Sequence, residues 1–211
     1  LKALEGRGLV ESRPGGGTYV AAIEGSVFAA PIVDLIAQSP KAGGDYLEFR
    51  REIEATAAAM AATRATEADR IILGRIIETM EAEHGKADFR REAALDVEFH
   101  QAIGEATHNI VIIHVLRACY RLLADGVFYN RSRLYGQAGS RDQLLAQHKA
   151  IRDAILAGDP EAARQAAIDH IAYVAASMKD AAEAGAREEI ASLRLMQFEE
   201  RATAKRLVRR D

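Results

Sequence analysis

Tryptophan is absent from this sequence, and cysteine occurs once, at Cys119, among 211 residues. A single cysteine excludes an internal disulfide and fits a reducing cytoplasm. Proline is almost as scarce, with four residues, and aromatics make up only 6%. That scarcity favours packed helices over sheets. No run approaches the ~18 consecutive apolar residues of a membrane span, and no signal peptide is expected. Neither sign of charge dominates, since 28 basic and 31 acidic residues leave a net charge of −3. What the chain does have is alanine and enough apolar residues, 49%, to build a full core. The first residue is Leu1 rather than methionine, so the chain is expected to be part of something longer.

Apolar periodicity predicts helices over most of the length. One covers 27–38 and ends near Ser39-Pro40. A second covers 45–64, after the Gly43-Gly44 break. Thr66 and Asp69 have the spacing of a capping box and open a third, with Ile72, Leu73, Ile76, Ile77 and Met80 as its apolar set. Further helices are expected over 87–106, from Asn109 to about Tyr129, and over 141–157, the last stopping at Gly158. Asp159-Pro160 supplies an N-cap followed by proline at the first helical position. The helix it starts is expected to run to about Ala184, with a separate helix over 186–208.

Only the first 22 residues read differently. "LVESR" and "TYVAA" are short strand-like runs on either side of "PGGG". A phosphate-binding loop needs Lys-Ser or Lys-Thr after its last glycine and then a helix; here Thr18 follows Gly17 directly. A hairpin fits better, because glycine supplies positive φ at a turn. A helix followed by such a hairpin is the second half of a winged helix-turn-helix, whose wing tip approaches the DNA backbone or minor groove. Arg13, Gly15, Gly16, Gly17 and Thr18 are then the candidate DNA contacts; an ordinary surface hairpin is the alternative.

Three of the six histidines fall on apolar stripes. Asp96 and His100 are four apart and share a face with Leu95, Phe99 and Ile103. His148 lies in the row Leu144, His148, Ile151, Ile155, and His170 in the row Ala163, Ala167, His170, Val174, Met178. Burying four polar groups separately is expensive. Converging on one cation satisfies all of them, whereas the alternative is three separately hydrogen-bonded core histidines. His114 shares its face with Arg117 and Arg121 and is expected to point outward; His84 and His108 lie at helix ends.

Arg50 sits in the row Tyr46, Arg50, Ile53, Ala57, Met60 and so faces the apolar side. A buried guanidinium beside a metal can clamp a carboxylate, but Glu54, four residues on, can also pair with it. Tyr129 and Asn130, at a helix end, are weaker candidates for polar groups of a pocket. Residues 185–211 are amphipathic and end in a basic run, which suits a solvated helix end, a helix on a partner subunit or contact with nucleic acid.

"LKALEGRGLVESRPGGGTYV" resembles the end of the recognition helix and the wing of GntR-superfamily transcription regulators. "RREIEATAAAMAA", "LDVEFHQAI", "LLAQHKAIRDAILAGDPEAA" and "DHI", in that order, resemble the FCD effector domain of the FadR subfamily. The resemblance implies an all-α fold, an antiparallel helical bundle over 27–184, preceded over 1–22 by the remnant of a winged helix; residues 185–211 lie past it and are expected to form a helical extension. On that likeness most of the DNA-reading head lies outside the chain, so the chain alone is expected to bind DNA weakly. The likeness also implies an Asp/His/His/His metal site, matched by Asp96, His100, His148 and His170, and a small organic acid effector near Arg50. Imidazoles with a carboxylate suit Zn, Ni, Mn or Fe. The expected protein is a ligand-responsive regulator that binds operator DNA as a homodimer, without a membrane role. A metal-dependent hydrolase on a helical bundle is the rival. It needs a base, and Glu98 lies on a different face from Asp96. A binding module with no DNA role is a third possibility.

Overall fold

A computed structural model describes residues 1–5, 10–13, 17–20, 27–86, 88–124 and 139–208. In chain order these form α1 (Lys2–Glu5), β1 (Val10–Arg13), β2 (Gly17–Val20), α2 (Ala30–Gln38), α3 (Pro40–Arg64), α4 (Glu67–Glu83), α5 (Phe89–Ala106), α6 (Ile110–Ala124), α7 (Ser140–Ala157) and α8 (Pro160–Val208). The hairpin is present. β1 and β2 pair antiparallel with Val10 opposite Val20 and Arg13 opposite Gly17. Gly17 closes the turn at φ +90°, a value that glycine reaches without steric cost. Gly15 and Gly16 lie outside the described residues, as does the side chain of Arg13; Thr18 is exposed.

Beyond the hairpin the fold is an all-α helical bundle, with α3 at its centre. Helix α3 packs against α2, α5, α6, α7 and α8. Its alanines Ala55, Ala57, Ala58, Ala61 and Ala62 are all buried, and short side chains let the neighbouring helices approach closely. Consecutive helices joined by short links, α4 to α5, α5 to α6 and α7 to α8, lie against each other, the antiparallel arrangement of a bundle. The main core cluster includes Leu73, Ile77, Phe99, Leu116, Ile151 and Ile155, and Leu144 and Val174 form a second, smaller one.

Helix boundaries follow local chemistry. Thr66 and Asp69 form the capping box in both directions. Asp88 accepts from the backbone N–H groups of Arg90 and Arg91 at the start of α5, and Asn109 from those of Val111 and Ile112 at the start of α6. Gly158 ends α7 in the left-handed region, at φ +70°.

Three expectations are corrected. Helix α3 starts at Pro40, not at 45, and runs through Gly43-Gly44. Ser39 caps it by accepting from the Ala42 N–H, and proline is pre-shaped for the first turn, so the cap outweighs the two glycines. The separate helix over 186–208 does not exist, because α8 continues unbroken through Gly185. One glycine costs only about 1 kcal/mol against alanine in a helix interior, and strong helix formers flank it here. Ile72 is half exposed, although its neighbours Leu73, Ile76 and Ile77 are buried. Among the described residues no helix is long and apolar enough to cross a membrane.

Candidate metal centre

The two histidine-bearing stripes of α7 and α8 meet the Asp96–His100 face of α5 inside the bundle. Asp96, His100, His148 and His170 each offer one ligand atom, and these atoms all lie within 4.8 Å of one another. The three imidazoles crowd together, with ring centroids 5.3 Å apart for His100–His148, 5.0 Å for His100–His170 and 4.6 Å for His148–His170. Asp96 Oδ1 stands 3.2 Å from His148 Nε2 and 3.8 Å from His100 Nε2. All four residues are 1–4% exposed. A set this compact needs to contract only slightly to reach the ~2 Å bonds of a bound divalent cation.

The side chains behind the cluster fix which ring nitrogen faces in. His100 donates from Nδ1 to Glu54 Oε2 at 2.9 Å, which leaves Nε2 toward Asp96. That Nε2 is buried and has no hydrogen-bond partner among the described residues. His170 donates from Nδ1 to the Gln147 side-chain oxygen at 3.1 Å. Histidine ligands characteristically donate their other ring N–H in this way. Burial, followed by the neighbouring His148 and His100, pushes the proton affinity of His170 well below its ordinary value. It is therefore neutral at pH 7, as a ligand must be.

Arg50 is buried, as its row required, and its partner is Glu54. Nε and Nη2 both reach Glu54 Oε1, at 2.7 and 2.6 Å. Burial alone would raise the Glu54 carboxyl. Arg50 and then His100 overcome it and hold the group well below the usual carboxylate range. Glu54, one of the two partners that the sequence left open for Arg50, is engaged by it in this structure. Tyr129 and Asn130 lie outside the described residues.

Sequence reasoning missed two members of the site. Tyr120, on α6, stacks on His100 with centroids 5.5 Å apart and planes at 22°, and its ring lies 5.2 Å from the Arg50 guanidinium. Its position four residues after the buried Leu116 was the only signal. Gln147 adjoins His148 in sequence, yet it serves a different histidine, on another helix, which no spacing shows. The remaining histidines stand apart. His84 pairs with Asp142 and His108 with Asp69 on the surface, and His114 is half-buried rather than fully outward. Cys119 takes no part in the cluster, and burial pushes its thiol up to about 12.

Residues 45–173 match the model of the FCD domain. The chain is 37% identical over 183 residues to an Escherichia coli protein named as a regulatory protein of the L-lactate dehydrogenase operon, covering 85% of this chain and 69% of that one. It is 33% identical to the Glc operon transcriptional activator of the same species, covering 85% and 72%. Among solved structures it is similar to a Streptococcus agalactiae GntR protein, with a TM-score of 0.66 and 26% identity over 83% of this chain and 78% of that one. With the helical bundle and the buried histidine cluster in place, these likenesses make the chain a member of the FCD-domain family of GntR-type transcription regulators.

Proposed function

We propose that this chain is the effector-sensing part of a DNA-binding transcription regulator, and that it senses a small organic acid through a divalent metal held by Asp96, His100, His148 and His170. The observation that carries this is the buried cluster and its charge. Three neutral imidazoles, two carboxylates (Asp96 and Glu54) and one guanidinium (Arg50) sum to a formal charge of −1 in a space with almost no solvent contact. A divalent cation turns that to +1. One carboxylate on the open positions of the metal returns the centre to neutrality, and charge is costly to leave unpaired in such surroundings. Relatives named for operons of small-molecule metabolism support the same reading.

The hairpin is proposed as the wing, with Arg13, Gly15, Gly16, Gly17 and Thr18 at or near the operator DNA. A homodimer is proposed because winged helices of this kind read two half-sites with two-fold symmetry. The hydrolase reading has little support in the geometry. Glu54, a carboxylate beside the cluster, has both of its oxygens engaged, by Arg50 and by His100.

The test is elemental analysis of untagged protein followed by calorimetry with small mono- and dicarboxylates. One metal per chain is expected, with carboxylate binding that disappears when the metal is stripped. Carboxylate binding that is unaffected by stripping would sink the metal-centred reading.

A further inference from the structure

Arg50 and Glu54 are not among the four residues that offer a ligand atom, yet both charged side chains are buried, 1% and 4% exposed. Arg50 and Glu54 are one helical turn apart on α3, so their side chains meet along a single face. Glu54 divides its two oxygens. Oε1 is gripped by Arg50 through Nε at 2.7 Å and Nη2 at 2.6 Å, and Oε2 takes the Nδ1–H of His100 at 2.9 Å. Tyr120 lies flat against His100 and beside the guanidinium, which closes the assembly from the α6 side. The carboxylate therefore cannot swing away from the imidazole without breaking its contact with Arg50.

We propose that Arg50 and Glu54 are positioning residues of the metal centre: Arg50 holds the Glu54 carboxylate, and Glu54 holds the proton of His100 on Nδ1, so that Nε2 is presented to the cation. This rests on the reading of the Asp/His cluster as a metal site. It moves Arg50 from contact with the effector to a place one step behind a ligand. The physical reasons are two. An imidazole whose Nδ1–H is taken by a carboxylate is locked in one tautomer and one ring orientation, and it becomes a more basic donor. Without the guanidinium the carboxylate would lose both contacts that fix its Oε1, and with them the direction in which Oε2 meets the ring. Gln147 performs the orienting part of this role for His170, but with a neutral oxygen.

The test has a readout that needs no variant. In metal-stripped wild-type protein, nitrogen-15 NMR of the imidazoles is expected to find His100 protonated on Nδ1. Calorimetric titration with Zn²⁺ is then expected to show one site in the wild type. The affinity should be about tenfold weaker in Glu54→Gln, which keeps an acceptor oxygen, and up to ~100-fold weaker in Glu54→Ala. Arg50→Lys should lose less than Arg50→Met. His100 protonated on Nε2, or a folded Glu54→Ala protein with wild-type Zn²⁺ affinity, would overturn the proposal. If Glu54→Ala does not fold, the tautomer and the Glu54→Gln affinity decide. Failure of the wild type itself to bind Zn²⁺ would instead remove the metal reading on which the proposal rests.

Discussion

At the scale of single residues, the cluster separates histidines that look alike in sequence. His148 is buried and its Nε2 stands 3.2 Å from Asp96, whereas His108 is largely exposed and pairs with Asp69. His148→Ala is expected to reduce the metal content of purified protein from one equivalent per chain to a small fraction. His108→Ala should leave it unchanged, and atomic absorption on the two variants side by side checks this. The inward direction of Arg50 was legible because a helical row of apolar residues passes through it. Its partner was not, since an arginine facing a core can meet a ligand or a carboxylate with the same periodicity. Only the positions of both side chains of α3 relative to α5 decided that Glu54 bridges Arg50 and His100.

At the scale of elements, the capping box of α4 ties helix stability to pH. Burial works to raise the Asp69 carboxyl, but hydrogen bonds from the Thr66 hydroxyl and backbone, with His108, outweigh it and hold the group below its ordinary value of 3.8. A carboxyl depressed in the folded state stabilises fully above its unfolded value and loses that contribution as pH falls through the native value. Asp69→Asn is therefore expected to cost about 1 kcal/mol at pH 7, the scale of a lost cap. The difference from wild type should shrink in urea titrations at pH values progressively below 3.8. The continuity of α8 gives a second check. If Gly185 is an ordinary helix-interior residue, Gly185→Ala should raise helicity and stabilise by up to about 1 kcal/mol. A helix break at that point would make the same change neutral or unfavourable, and circular dichroism with thermal melts distinguishes the two.

At the scale of the whole molecule, the second half of α8 stands out as uncovered. Its last buried residue among those with described side chains is Ala181, and beyond it Ile190, Leu193 and Met196, spaced three apart, are each at least half exposed. The expectation that this stretch packs on a second subunit belongs with the proposed homodimer. Leu193→Asp is accordingly expected to shift the protein toward monomer in sedimentation velocity while its Zn²⁺ binding stays intact, since Leu193 lies far along α8 from His170. An unchanged sedimentation coefficient would separate the extension from any dimer interface.

The sequence by itself determined most of the helices and which face each turns inward, because burial of apolar area and the 3.6-residue period act along one element at a time. It thereby also determined that Asp96, His100, His148 and His170 point to the interior, and the turn chemistry of the hairpin was local enough to read in the same way. Two boundaries escaped that reading. The Ser39 cap overrode Gly43-Gly44 and strong helix-favouring neighbours overrode Gly185, and the balance is a sum of small terms that a single breaker residue does not reveal. The tertiary structure alone decided how the inward groups are shared. Glu54 faces His100, Gln147 serves the histidine of the next helix, and Tyr120 covers both Arg50 and His100. Such pairings depend on the rotation and offset of one helix against another, which packing of the whole core sets and no spacing within a helix records.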